Sequence, residues 1–129
     1  MPSFRPIGVS GAYPDWLRAV ANVSGVYAIL ERYLLGGWQI VYVGECHSNK
    51  LKKTVVRHFQ AWSRAKSFWA GQYREQTAAD PGRTYNRAEC EVAIQVCKAG
   101  RAVDLQNKWI RDMDPRDNIK GVPMEEVPF

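Results

Sequence analysis

No apolar run in this 129-residue chain approaches the roughly 20 residues that a membrane-spanning helix needs, so a helical membrane protein is excluded. The first sixteen residues, MPSFRPIGVSGAYPDW, hold a single basic residue, Arg5, and no apolar core, so they do not read as a secretory signal. The expected setting is cytoplasmic, with no membrane partner. Cysteine is scarce: Cys46, Cys90 and Cys97 are odd in number and form no C-x-x-C pair, which excludes a disulfide framework and a sequence-evident zinc site. Cys46-His47 would offer two metal ligands, but not at the hairpin or helix spacing that zinc sites use. The thiols are therefore expected to be reduced and mostly packed. Internal repeats and low-complexity tracts are also missing.

What remains is an ordinary globular composition, 46% hydrophobic and 24% charged, in a chain long enough for one core and too short for two. Acidic residues are outnumbered 13 to 18 by Lys and Arg, giving a net charge of +5 and a pI near 9.3. That excess favours polyanions, but its placement matters more than its total.

Pro2, Pro6, Gly8, Gly11 and Pro14 predict an irregular leader, followed by a short helix from Asp15 to Ala21 that buries Trp16, Leu17 and Val20. These residues, 1–22, precede a domain over 23–120 and a tail over 121–129. Gly25 to Tyr33 and Trp38 to Val43 are rich in β-branched and aromatic residues around Gly36-Gly37, which predicts an antiparallel hairpin. Leu51, Val55, Phe59 and Trp62 recur at intervals of four, four and three residues, the spacing of an amphipathic helix whose other faces carry Lys52, Lys53, Arg57 and Arg64. Residues 66–86 are polar and contain Asp80-Pro81-Gly82, a turn signal within an irregular connection. Alternation of Ala88, Cys90, Val92, Ile94 and Val96 predicts a third strand over 87–97, and Val103 to Met113 a helix stopping at Pro115. The expected class is α/β (α+β): a small, mainly antiparallel three-stranded sheet with flanking helices, in the order β-β-α-β-α.

In such a hairpin Tyr27 and Tyr42 meet near the open end of the ladder. Such a pair is commonly a cross-strand packing contact, so its local sequence carries the functional signal. Ser24-Gly25-Val26-Tyr27 and Val41-Tyr42-Val43-Gly44 resemble the paired triplets that name the GIY-YIG nuclease family, with Val for Ile in both. The helix at Thr54-Val55-Val56-Arg57-His58 resembles the family's first helix, where an Arg precedes a His or Tyr by four residues. Leu105-Gln106-Asn107-Lys108-Trp109-Ile110-Arg111, followed by Pro115-Arg116-Asp117-Asn118, is similar to its L-E-N-x-L-I-K and P-x-Y-N segment. The resemblance spans residues 24–118.

The resemblance implies hydrolysis of DNA phosphodiester bonds with one Mg²⁺ or Mn²⁺. Tyr27 and Tyr42 would be the phenol pair, His58 a proton-transfer or phosphate-contacting group, and Asn118 a positioning residue. Thr54 occupies the family's Arg position and Gln106 the position of its metal-binding Glu. Thr removes a transition-state charge contribution of roughly 3 kcal/mol, which Arg57, one turn on, is placed to replace in part. Gln supplies one neutral oxygen where Mg²⁺ prefers a carboxylate. Glu45, Glu89 and Glu91 are alternative carboxylates, although a strand or loop carboxylate is more often simply solvated.

Lys50, Lys52, Lys53, Arg57, Arg64 and Lys66 fall within 17 residues, among Phe59, Trp62, Phe68 and Trp69, and form the expected nucleic-acid-binding surface. The rival expectation is a module that keeps this scaffold and binds nucleic acid, or regulates, without cleaving. Five tryptophans also admit a protein-interaction domain.

Overall fold

The computed structural model describes residues 2–60 and 84–118. Its central element is the hairpin of β2 (Gly25–Arg32) and β3 (Trp38–Cys46), closed by Tyr33 N–H donating to the Gly37 carbonyl at 2.9 Å. β4 (Cys90–Val96) pairs antiparallel with the other edge of β2. These strands differ from the expected sheet in one respect, because the leader is not wholly irregular. Arg5–Pro6 forms a fourth strand, β1, opposite Val92 and Glu91, so the sheet order is β1-β4-β2-β3. Pro6 is tolerated there because β1 is an edge and its missing N–H leaves no ladder position open.

Arg87 holds the leader in place. Its guanidinium donates to the carbonyls of Ile7 at 2.7 Å and Gly11 at 2.9 Å and stacks on Tyr13 at 3.9 Å. α1 (Asp15–Arg18) starts where expected but is shorter, and Asp15 pairs with Arg18 one turn on. Between Asn86 and β4 the chain makes a 3₁₀ turn at Arg87–Glu89, with Asn86 Oδ1 accepting from Ala88 N–H at 3.0 Å, so β4 starts later than alternation predicts.

Each face of the sheet carries its own core. Alternation sends Tyr27 and Ile29 to one side, with Leu17 of α1 and Leu51 and Val55 of α2 (Leu51–Val56). Val26, Ala28 and Val43 go to the other, under Trp109 of α3 (Ala99–Met113). α3 starts before the expected Val103, since Gly100 lies inside its first turn, and it ends before Pro115 with Asp114 in the left-handed region at φ 48°. No helix among the described residues is long and apolar enough to cross a membrane.

Candidate active site

The seat of Tyr27 is Gly44. The two are opposite each other in the β2–β3 register, and a methyl at position 44 would fall on the phenol oxygen of Tyr27 and lie 2.9 Å from its Cε1. The missing side chain lets the tyrosine ring lie across the neighbouring strand. Gly25 has an equivalent role toward β4, because a methyl there would run into the Gln95 carbonyl.

Tyr42 reaches the same side by register, lying opposite Ile29, which shares its face with Tyr27, and a bulge adjoins it. Ile29 pairs with Tyr42 and Leu30 with Ile40, so Val41 is an extra residue on β3. A bulge bends its strand and re-aims the neighbouring side chain. Val41 and Tyr42 accordingly both join the cluster containing Tyr27. The two tyrosine rings lie 6.3 Å apart at a 41° tilt, and both are 2% exposed.

His58 closes the group. After six residues α2 tightens into a 3₁₀ turn at Arg57–Phe59, where Gln60 N–H donates to the Arg57 carbonyl. Three residues per turn send the side chains of Arg57, His58 and Phe59 in three directions, and all three are buried. His58 Nε2 lies 2.7 Å from the Tyr27 hydroxyl, and its ring centre is 4.9 Å from that of Tyr42. With His58 neutral, Nε2 accepts the phenolic proton and Nδ1 carries the ring proton; a protonated Nε2 would instead donate to the phenol oxygen. Either way a proton has a direct path between the two groups.

Tyr85 and Asp117 back this group, and neither was singled out in the sequence. Tyr85 N–H donates to the His58 carbonyl at 2.8 Å, and its hydroxyl donates to Asp117 Oδ2 at 2.7 Å. Burial, and then the Asp117 carboxylate, hold the Tyr85 phenol well above its ordinary range. Asp117 also accepts two bonds from Arg116, at 2.8 and 2.9 Å, and Arg116 reaches Glu31 at 3.3 Å. Tyr85 follows a polar stretch without periodicity, so no sequence signal marked it. Asp117 stood inside the P-x-Y-N-like segment, at the position where that pattern has Tyr.

Asn118 is a clamp on the edge strand. Its amide nitrogen donates to the Val43 carbonyl and its amide oxygen accepts from Val43 N–H, both at 2.9 Å. Thr54 is buried, and its hydroxyl donates to the Lys50 carbonyl at 2.9 Å, so it is tied to the helix backbone.

Arg57 was expected on a solvated helix face and is instead 6% exposed, because the 3₁₀ turn is enclosed on every side. It therefore does not belong to an exposed basic surface. Of that surface Lys50 and Lys53 are exposed and Lys52 is half-buried. Arg64 and Lys66, with Trp62, Phe68 and Trp69, lie outside the described residues.

Gln106 is buried on α3 in the stripe of Ala102 and Trp109, and Trp109 packs on the sheet face opposite Tyr27. Among the alternative carboxylates, Glu45 is not solvated: it is buried beside His47 Nδ1 at 3.0 Å. Glu89 pairs with Arg32 at 2.6 Å, and Glu91 is half-buried on β4. The Cys90 thiol, pushed up to about 12 by burial first and by Glu31 and Glu89 next, is a packing group, as expected of it.

The chain matches no family model, and neither a curated protein nor a solved structure is significantly similar to it.

Proposed function

We propose that this chain is a GIY-YIG-type endonuclease hydrolysing DNA phosphodiester bonds, its sheet being that family's three-stranded scaffold with β1 added at one edge. The observation carrying this reading is the contact of Tyr27, Tyr42 and His58 on one sheet face, with the phenol of Tyr27 bonded to the imidazole. Buried tyrosine pairs are common in sheets, but a core rarely needs a histidine ring nitrogen joined to one of them. In this mechanism a phenol oxygen orients the attacking water. The proton leaves through Tyr27 to His58, and Arg57 supplies positive charge toward the phosphate.

The family's chemistry also calls for Mg²⁺ or Mn²⁺, which would stabilise charge on the phosphate oxygens. The donors present fit such an ion poorly. Gln106 presents a neutral amide, Asp117 is already bonded to Tyr85 and Arg116, and no group of three or more His, Cys, Asp or Glu converges among the described residues. A second reading, a scaffold that binds nucleic acid without cutting it, is favoured by this donor set and by the Thr54 hydroxyl committed to its own helix.

Nicking of supercoiled plasmid across a Mg²⁺ and Mn²⁺ series separates the two. The nuclease reading expects nicking that Tyr42→Phe abolishes. Intact plasmid at every metal concentration, with salt-sensitive DNA binding retained, would leave the binding module. Activity gained only in Gln106→Glu, or in Gln106→Glu with Thr54→Arg, would identify a nuclease disabled at those two positions.

A further inference from the structure

The tip of the β2–β3 hairpin carries the most exposed apolar side chains of the described fold. Leu34 is 100% and Leu35 98% exposed, and Tyr33 and Trp38 beside them are each 46% exposed. The tip is an ordered turn. Tyr33 N–H donates to the Gly37 carbonyl at 2.9 Å, and Gly36 N–H donates to the Tyr33 carbonyl at 3.1 Å. Two adjacent leucines are thus held at the end of a hydrogen-bonded two-stranded arm, where polar residues would serve a plain turn equally well. At its base Arg32, half exposed, pairs with Glu89 at 2.6 Å.

The size of the tip decides between occupants. A stable protein interface buries about 800 Å² on each partner, and a turn of this length cannot supply that. A bilayer anchor is no better served. Even one myristoyl chain attaches a protein only marginally, and two leucine side chains carry fewer carbons than it does. A DNA duplex makes a different demand, because phosphate contacts provide most of the affinity and one or two apolar side chains suffice to part a base step. The chain carries a net charge of +5 for those contacts. Arg32 bonds Glu89 through both Nε, at 2.8 Å, and Nη2, at 2.6 Å, and would have to exchange that exposed pair for a phosphate next to the tip.

We propose that Leu34 and Leu35 form a wedge that enters a DNA duplex and unstacks one base step, a role that rests on the nucleic-acid reading above. The strand sets its distance. Five residue steps along β2 from Tyr27 to Arg32, at about 3.3 Å each, put the tip at least about 17 Å from Tyr27.

The test uses the full chain and a series of duplexes carrying 2-aminopurine at successive positions, with binding followed separately by anisotropy at low salt. A several-fold rise in 2-aminopurine fluorescence is expected at one step and not at its neighbours. Leu34→Ser/Leu35→Ser should lose the rise while its affinity falls no more than about tenfold, since the phosphate contacts remain. Leu35→Met, which keeps an apolar wedge, should retain it. Both positions are solvent-exposed, so unchanged melting temperatures are expected. Binding with unperturbed stacking at every position would overturn the wedge and leave the proposed function standing. Absence of binding even at low salt would overturn both. Leucine-dependent flotation with anionic vesicles, or a leucine-dependent dimer in sedimentation, would assign the tip to another occupant and overturn the wedge.

Discussion

Replacing Asn118 by Ala tests whether one side chain holds the edge of the sheet. β3 has β2 on one side only, and its outer backbone groups are met by the segment after α3. Arg116 N–H donates to the Ile40 carbonyl at 3.2 Å, Asp117 N–H to the Val41 carbonyl at 2.8 Å, and Asn118 makes both bonds to Val43 at 2.9 Å. Asn118 is 4% exposed, so little water can take its place. An unsatisfied buried group costs about 1–3 kcal/mol, and two of them, with partial relaxation, come to about 2–5 kcal/mol. Against a whole-domain stability of about 5–15 kcal/mol, this is a large fraction. Urea denaturation should show a lower midpoint with an unchanged slope. Hydrogen exchange should show the Val43 amide losing protection more than amides in the centre of β2. A destabilisation below about 0.5 kcal/mol with Val43 still protected would refute the clamp, since that is no more than an ordinary surface substitution produces.

Gly44→Ala should destabilise the domain by about 1–3 kcal/mol, because Tyr27 must leave its seat to admit the methyl, and a wild-type melting temperature would refute that seating. Tyr85 gives a pH signature. Its phenol is held above the ordinary 10.0, so the unfolded chain releases that proton first. The stability it contributes is complete below pH 10.0 and is lost above it, by up to about 1.4 kcal/mol per pH unit, and Tyr85→Phe should flatten that alkaline slope in denaturation curves. Replacing Lys50 and Lys53 by Ala should reduce the salt dependence of DNA binding by about one charge each in a plot of log affinity against log salt, and an unchanged slope would remove them from the interface.

The hairpin, its turn, β4 and α3 were legible because their signals are periodic and local: β-branched runs, a Gly-Gly pair, alternation, and a helix stopping at Pro115. β1 was not, because two residues of strand have no period, and Arg5–Pro6 pairs only where Arg87 has pinned the leader to the rest of the fold. The same limit applies within the site. Tyr27 and Tyr42 could be placed on one face from hairpin geometry, whereas the bulge that adds Val41 to the same cluster could not. Tyr85 and Asp117 come together from positions 32 residues apart, through a bond to each other and another to the His58 backbone, and no local pattern encodes such a meeting.

The burial of Arg57 separates two roles that the sequence ran together. Lys50, Lys53 and Arg57 fall within eight residues and look like one basic stripe. An α-helix continued through residue 57 would have kept Arg57 beside Lys53 on a solvated flank. The chain tightens there instead, and Arg57 is drawn into the interior next to His58 in the chain, one turn beyond Thr54. A buried guanidinium acts at short range in a low dielectric, where charge counts most, whereas the exposed lysines act through salt-screened attraction. On the nuclease reading, Arg57 should therefore affect turnover and not the salt dependence of binding, and the lysines the reverse. Thr54, by contrast, is buried without a charge, and its hydroxyl bonds its own helix.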